Sequence, residues 1–282
     1  LYLAFQANHI PVQAPRDAVA RYRGRYDAGW EALRRERRDR AAALGLIPAG
    51  APMVPQAADW DALSQQDRAH FSRRMEVYAA MATTMDAELG RLLAQLRASG
   101  EYDRTVFVFL SDNGAEASDP YDILAGRLWL ATQYTRDIER LGGPGAYTAI
   151  GEGWAGAAAS PLATWKFYAG EGGLRVPLIV SGVPGAQDGR VFKGFAHVTD
   201  ITPTLLEVAG VAPPQATYGG HPVATPTGKS LLPVLRGAAD RVRAPGEALG
   251  YELAGNAALF RDELKLVRNR PPVGDGRWHL YD

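Results

Sequence analysis

The sequence has 282 residues, of which 46% are hydrophobic and 22% are charged, as in ordinary globular proteins. Its 31 basic and 31 acidic residues give a formal net charge of zero, so no overall charge draws the chain to nucleic acid or to an anionic membrane. No apolar run approaches the roughly 20 residues of a membrane span. The absence of cysteine excludes a disulfide framework and leaves the cellular compartment open. We therefore expect neither nucleic acid nor a membrane as a partner.

The first part of the chain combines an apparent strand with a charged helix. Residues 1–6 have the apolar character of a strand, which places His9 just after its carboxyl end. A single histidine is more often structural than functional, so this position alone predicts no site. Farther along, the basic residues at 34–40 are interspersed with acids, a pattern that indicates a solvated helix face more than a binding patch.

A long amphipathic helix comes next. Ser64 and Asp67 resemble a capping box at its start, Gly100 follows its end, and His70 is expected on its surface. The apolar positions step by four and three in alternation, at Phe71, Met75, Tyr78, Ala82, Met85, Leu89, Leu92 and Leu96. This spacing predicts one continuous apolar face, which we expect to pack on a sheet.

A buried strand then ends in a polar turn. Residues 105–110 are mostly β-branched or aromatic and stop at Asp112, Asn113 and Gly114, which is typical of a parallel strand. In open α/β sheets, ligands bind outside the carboxyl ends of such strands. Asp112 and Asn113 offer oxygen ligands, which suit a hard cation such as calcium or magnesium. Taken alone, an ordinary Asn-Gly turn explains these residues equally well.

Residues 115–165 have the composition of a long irregular insertion, rich in Gly, Ala and Tyr. Within it, residues 151–156 match the spacing of a dinucleotide-binding fingerprint, but no convincing strand precedes them, so a nucleotide site is not favoured. A glycine turn at 171–173 then leads into a second apolar strand at 176–180.

A further helix begins near Thr199 or Asp200 and stops at Gly210. His197 and Asp200 imitate a metal-binding pair, but helix capping accounts for Asp200 and is the favoured interpretation.

Two domains are expected. The first covers residues 1–212 and carries the insertion at 115–165, and the second covers 213–282, starting with a Pro- and Gly-rich linker. A short helix is predicted near residues 231–236, and a small antiparallel sheet is predicted from strands near 249–253, 257–260, 264–268 and 278–281. Residues 261–263 have the polarity of a hairpin turn.

Several ordered motifs carry a resemblance to a known family. They are Phe5-Gln-Ala-Asn-His9-Ile-Pro11, the helical segment at 85–90, Ser111-Asp-Asn-Gly114, Lys166, Glu171-Gly-Gly-Leu-Arg-Val-Pro177, the helix beginning Asp200-Ile-Thr-Pro, and Trp278-His-Leu-Tyr-Asp282. The series resembles the later two-thirds of a type I arylsulfatase of the alkaline phosphatase superfamily. The segment at 22–30 is similar to bacterial arylsulfatases in particular.

The resemblance implies a fold and a site. The implied fold is an α/β sandwich with a mostly parallel sheet and flanking helices, followed by a small C-terminal antiparallel sheet. His9 and Lys166 correspond to sulfate-pocket residues, and Asp112 with Asn113 corresponds to half of a metal site for calcium or magnesium, both of which take oxygen ligands. The implied activity is hydrolysis of sulfate esters, most simply aryl sulfates. Tyr147 and Trp154 are candidates to line the leaving-group pocket, or else to pack in the core.

The departures from the family concern the nucleophile. The family carries an early Cys-x-Pro-x-Arg, or Ser in place of Cys, whose first residue becomes formylglycine, and neither version occurs here. The paired aspartates of an early strand are also missing. We therefore expect a fragment that lacks the N-terminal strands, with its formylglycine outside these residues. The alternatives are a phosphate or phosphonate monoester hydrolase of the same superfamily, or a non-catalytic sulfatase-like protein.

Overall fold

A computed structural model describes residues 1–56 and 58–282, and its helices and sheets confirm the α/β class. The helices are α1 (Arg16–Ala20), α2 (Gly29–Ala43), α3 (Gln65–Ala98), α4 (Leu124–Gln133), α5 (Gly151–Ala159), α6 (Glu171–Leu174), α7 (Ile201–Val208) and α8 (Leu232–Leu235). The strands are β1 (Phe107–Leu110), β2 (Leu178–Ser181), β3 (Thr217–Tyr218), β4 (His221–Pro222), β5 (Ala248–Leu253), β6 (Asn256–Arg261), β7 (Leu264–Arg268) and β8 (His279–Tyr281). Across the described residues, no helix combines the length and apolarity needed to cross a membrane.

Helix α3 begins and ends where its sequence signals place the caps. The hydroxyl of Ser64 accepts a hydrogen bond from the backbone N–H of Asp67 at 3.1 Å. At the other end, Gly100 adopts a positive φ of 74°, which glycine reaches without the steric cost paid by other residues. The predicted start and stop of this helix are confirmed.

The surroundings of α3 differ from the prediction. Its first half, around residues 72–80, is buried on more than one side, and Met75, Val77 and Ala80 belong to the main hydrophobic core. This part packs against α1 and residues of the 141–157 segment, so the expected packing of one face on a sheet is wrong. The apolar positions of its second half are only partly buried.

Aromatic side chains fill the centre of this core. Trp30, Trp60 and Trp154 meet edge to face, with ring centroids 4.8 to 5.7 Å apart. The indole N–H of Trp154 donates to the backbone carbonyl of Phe71 at 2.9 Å, so its one polar group is satisfied although the side chain has no exposed surface. Trp154 is therefore a core residue and does not line a leaving-group pocket.

The segment at 115–165 is more ordered than its composition suggests. It contains α4 and α5, and it supplies the buried core side chains Leu141, Ala146, Ile150 and Trp154. The prediction of a long irregular insertion is wrong, because small residues allow close helix packing here instead of marking a loop. Gly153, for example, lies so close to Trp30 that an added Cβ would come within 2.7 Å of its ring.

Strands β1 and β2 form a two-stranded antiparallel sheet, with Phe107 opposite Ser181 and Leu110 opposite Leu178. Both strands lie close to their predicted positions, but the parallel arrangement expected for β1 is not the one adopted. Neither strand is fully buried, and Ile179 is 59% exposed. Residues 1–6 form no strand, so His9 follows an irregular segment instead of a strand end.

The predicted C-terminal sheet is confirmed as an antiparallel sheet in the order β5-β6-β7-β8. Its β6–β7 hairpin turns at Asp262, which takes a positive φ of 52°. One face of the sheet places Ala258 and Val267 against Ala169, so the sheet packs directly on the segment that follows Lys166.

The carboxylate of Asp200 joins α7 to the C-terminal residues. It is fully buried and accepts hydrogen bonds from the backbone N–H groups of His197 and Lys229 at 2.7 and 2.9 Å. The guanidinium of Arg243 donates to both of its oxygens at 2.8 and 2.9 Å. The favoured interpretation, helix capping, is confirmed in a modified form, because Asp200 bonds back to the backbone N–H of His197 and does not cap the first turn of α7 with its side chain. The ion pair with Arg243 was not predicted.

Candidate active site

Two segments of chain lie side by side to form the base of the candidate site. The polar turn after β1 runs along residues 163–173, with the N–H of Gly114 donating to the carbonyl of Gly173 at 3.0 Å and the N–H of Lys166 donating to that of Ala115 at 3.1 Å. A Cβ on Gly114 would sit 1.9 Å from the carbonyl oxygen of Gly172. Glycine is therefore required here to let the two backbones approach.

The backbone around Lys166 is held in an unusual conformation. Thr164 and Phe167 both have positive φ values, 67° and 79°. Each such residue costs of the order of 1–3 kcal/mol and persists only where the surrounding structure fixes it. Here Asn256 donates from Nδ2 to the carbonyl of Phe167 at 2.9 Å, and Asn269 Oδ1 accepts from the N–H of Ala169 at 2.7 Å. Asn256 in the C-terminal sheet and Asn269 just after β7 thus hold the segment that presents Lys166.

Three side chains meet at this point. The Nζ atom of Lys166 lies 2.9 Å from Nε2 of His9 and 2.7 Å from Oε2 of Glu116. The same Oε2 atom lies 3.7 Å from Nε2 of His9. The structure thus brings together the two sulfate-pocket residues predicted from the resemblance, which are 157 positions apart in the chain.

The hydrogen bonds around His9 indicate its tautomer. Its Nδ1 atom lies 2.8 Å from the carbonyl oxygen of Ile10, which can only accept, so Nδ1 carries a hydrogen. In the neutral ring Nε2 is then an acceptor for the ammonium of Lys166. The cluster of His9, Lys166 and Glu116 in this state holds one positive and one negative charge.

Exposure increases from one end of this cluster to the other. The side chain of Glu116 is 8% exposed, that of Lys166 is 18% exposed and that of His9 is 51% exposed. Burial alone raises the pKa of Glu116, but hydrogen bonds from Lys166 and Ser118 outweigh it and bring the pKa below its ordinary value. The carboxylate therefore stays charged at neutral pH behind the lysine, while the histidine side faces solvent.

The candidate metal ligands lie on the same turn as Glu116. Asp112 is exposed and Asn113 is half-buried. Within the described residues neither side chain has a hydrogen-bonding or ion-pair partner, and no group of three or more His, Asp or Glu side chains is placed to hold a metal. One carboxylate and one carboxamide oxygen fit a hard cation chemically, but they are only part of the six or more oxygen ligands that calcium takes.

An aromatic cluster lies on the insertion beside this site. The rings of Trp129, Tyr134 and Tyr147 meet edge to face at centroid distances of 5.2 to 5.5 Å. Burial raises the pKa of Tyr147, and nearby tyrosine and carboxylate groups add to it, Glu116 among them. Tyr147 is therefore close enough to Glu116 for their charges to interact, and Trp129, which contacts Tyr147, is 44% exposed.

His70 lies near the core, and its surroundings indicate a structural residue. His70 is half-buried, contrary to the surface position predicted, and its Nδ1 accepts from Arg74 at 3.1 Å. Burial, with the charges of Arg74 and Arg136, lowers the pKa of His70 to about 4. It is therefore neutral at physiological pH.

Glu116 is the residue of the cluster that the sequence did not indicate. It lies four positions after Asp112, in a segment whose composition favoured an irregular loop. A signal was present in retrospect, because an acidic residue so close to a turn with a metal-ligand pattern is a candidate for the same site. Its partner Lys166 is 50 positions away, and only the tertiary structure reveals that contact.

Comparisons with known proteins bear on these observations. A family model described as Sulfatase matches residues 1–211. An uncharacterised sulfatase of Schizosaccharomyces pombe is 34% identical over 293 residues, which cover 100% of this chain and 51% of that protein. The arylsulfatase of Klebsiella aerogenes is 33% identical over 234 residues, 82% of this chain and 50% of that enzyme. The chain spans about half the length of these curated relatives.

The chain also aligns with solved structures. A phosphonate monoester hydrolase from Silicibacter pomeroyi aligns over 97% of this chain and 44% of its own, at 21% identity and a TM-score of 0.45. The resemblance inferred from the ordered motifs is confirmed by the family model, which covers well over half of the chain. The chain belongs to the sulfatase family.

Proposed function

We propose that this chain is part of an enzyme that hydrolyses sulfate esters of small molecules, with aryl sulfates as the preferred class. The observation that carries the proposal is the contact between His9, Lys166 and Glu116, which sets a cation and an imidazole on the solvent-facing side of a buried carboxylate. Asp112 and Asn113 precede this cluster on the same turn and add oxygen donors.

The chemistry needs positive charge and hydrogen-bond donors. Cleavage of a sulfate ester places negative charge on the transferring oxygens and on the leaving oxygen, so fixed donors near those atoms stabilise the transition state. Lys166 would hold one sulfate oxygen through its ammonium group. In its neutral state His9 would help to hold that ammonium through Nε2. Once protonated at Nε2, it would instead contact another sulfate oxygen or hand its proton to the leaving group.

A divalent cation completes the proposed site. Asp112 and Asn113 would hold calcium, or magnesium, together with ligands from outside these 282 residues. When bound, such a cation supplies charge that polarises a sulfate oxygen. The proposed nucleophile, a formylglycine, also comes from outside these residues, because they contain no cysteine and no Ser-x-Pro-x-Arg.

The aryl preference rests on the aromatic cluster of Trp129, Tyr134 and Tyr147. Aromatic rings favour offset or edge-to-face contact with another ring, so the exposed Trp129, which packs on Tyr147, would receive an aryl leaving group. The proposal keeps Tyr147 in the role that its sequence position suggested and replaces Trp154 with Trp129.

The test is a pair of substitutions in the complete protein. Lys166→Ala should lower kcat/KM for an aryl sulfate by about a hundredfold or more, the scale for losing one charge-stabilising donor. Asp112→Ala should lower both turnover and bound calcium, measured by metal analysis. The exposed Lys193, which lies outside the cluster, serves as the control for removal of a lysine.

The same assays distinguish sulfate ester hydrolysis from the alternative activity, hydrolysis of phosphate or phosphonate monoesters. Phosphate and phosphonate monoesters are assayed beside the aryl sulfate, and a higher kcat/KM for either of them would contradict the proposed substrate class. Unchanged turnover and metal content in Asp112→Ala would contradict the metal assignment.

A further inference from the structure

The carboxylate of Glu116 is fully engaged by the protein. Its Oε1 accepts from the backbone N–H of Ser118 at 2.9 Å, while Oε2 lies 2.7 Å from Nζ of Lys166. The side chain is the most deeply buried of the cluster. Glu116 is therefore anchored to its own turn and has little surface with which to contact a substrate.

The ammonium of Lys166 has three donors, and two of them have partners in the cluster. One N–H points to Oε2 of Glu116, and another points to Nε2 of His9. An ammonium on a four-carbon stem is otherwise free to rotate and to move. With two directions fixed, the direction of the third N–H is fixed as well.

We propose that Glu116 is a positioning residue, which holds the ammonium of Lys166 so that its remaining N–H donor is directed at a sulfate oxygen. The inference rests on the proposed function, because it requires Lys166 to bind the substrate. Glu116 itself touches neither the substrate nor the reacting atoms.

A fixed lysine donor would favour catalysis. Preorganised donors contribute more to a transition state than mobile ones, because they need no reorganisation as charge develops. A glutamine at position 116 could still accept one hydrogen bond, but a neutral partner holds the ammonium less strongly than a charged one.

A double-mutant cycle on the complete protein tests the inference, with kcat and KM measured for an aryl sulfate. The variants are Glu116→Gln, Lys166→Met and the double substitution. We expect Glu116→Gln to lower kcat by roughly tenfold to a hundredfold and Lys166→Met to lower it by about a hundredfold or more. In the Lys166→Met background, Glu116→Gln should change kcat by less than about twofold, because residues that act as one unit are not additive.

Glu76 provides the matched control, since it is buried to a similar degree and pairs with Arg73 at 2.9 Å, away from the cluster. Glu76→Gln removes a buried charge from the fold and should leave kcat within about twofold once the protein is folded. Glu116→Asp keeps the charge on a shorter side chain, and we expect it to retain more kcat than Glu116→Gln. If Glu116→Gln does not fold, Glu116→Asp replaces it in the cycle with the same expected non-additivity.

The outcomes separate this inference from the proposed function. Losses that multiply in the double variant, or a Glu116→Gln kcat within about twofold of the wild type, would overturn the positioning role while leaving the role of Lys166 intact. A Lys166→Met variant with wild-type turnover would overturn the proposed function itself.

Discussion

Substitution of Asp200 by alanine tests whether this carboxylate is a structural link or a metal ligand. The change removes both oxygens that pair with the guanidinium of Arg243 and the acceptor for two backbone N–H groups. The side chain of Arg243 is only 11% exposed, so it would be left largely buried without its partner.

The expected loss of stability follows from this burial. Removing one partner of a buried ion pair costs about 3–5 kcal/mol, because the remaining charge keeps its desolvation penalty. The free energy of unfolding of a folded domain is about 5–15 kcal/mol, so the loss is a large fraction of the total. For a domain of about 150–250 residues, each kcal/mol corresponds to about 2–4 °C, which gives a Tm lower by roughly 6–20 °C; a larger cooperative unit shifts by less.

The assay is thermal and urea unfolding of the complete protein, followed by circular dichroism, together with calcium content and kcat. Glu88→Ala is the control, because Glu88 and Arg91 form a pair at 2.6 Å whose side chains are 52% and 78% exposed. An exposed pair of this kind contributes about 0.3–0.5 kcal/mol, so this control should unfold almost as the wild type does. The folded fraction of Asp200→Ala should keep wild-type kcat and metal content.

Two results would refute this reasoning. A loss of less than about 1 kcal/mol would mean that the buried pair contributes no more than a surface pair does. A loss of bound calcium at unchanged stability would restore the interpretation of His197 and Asp200 as metal ligands.

Three further predictions concern the site. The pKa of Glu116 is lowered in the folded state, so its contribution to stability is present above the ordinary glutamate pKa and is lost as the pH falls through the lowered value. The stability of Glu116→Gln should therefore depend less steeply on pH, in acid unfolding, than the stability of the wild type. Equal slopes would contradict this. Trp129→Ala should raise KM for an aryl sulfate by about threefold to tenfold, the scale of one aromatic contact. Trp278→Ala removes a similarly exposed tryptophan from the C-terminal region and should leave KM unchanged. Equal effects of the two substitutions would argue against a leaving-group site at Trp129. The 282 residues by themselves should show no measurable aryl sulfate hydrolysis with added calcium, since they contain no cysteine for formylglycine and offer too few oxygen ligands; turnover near that of the complete protein would mean that the nucleophile lies within this chain.

Local features of this protein could be predicted from its sequence. The cap at Ser64, the stop at Gly100 and the β6–β7 turn depend on residues a few positions apart, which interact in the same way whatever surrounds them. The four C-terminal strands follow from alternation and turn residues in the same manner. The ordered motifs also sufficed to identify the family. They singled out His9 and Lys166 as candidates, and the structure places these two side chains in contact.

Contacts between distant segments were decided by the tertiary structure. The antiparallel pairing of β1 with β2 and the burial of Trp154 depend on which segments cover each other, and hydrophobic periodicity does not specify the partner. The same holds for Glu116, whose short-range neighbours suggest a loop. Its contact with Lys166 forms because the close approach at Gly114 and the hydrogen bonds of Asn256 and Asn269 to residues 167–169 bring Lys166 to within 2.7 Å of its carboxylate.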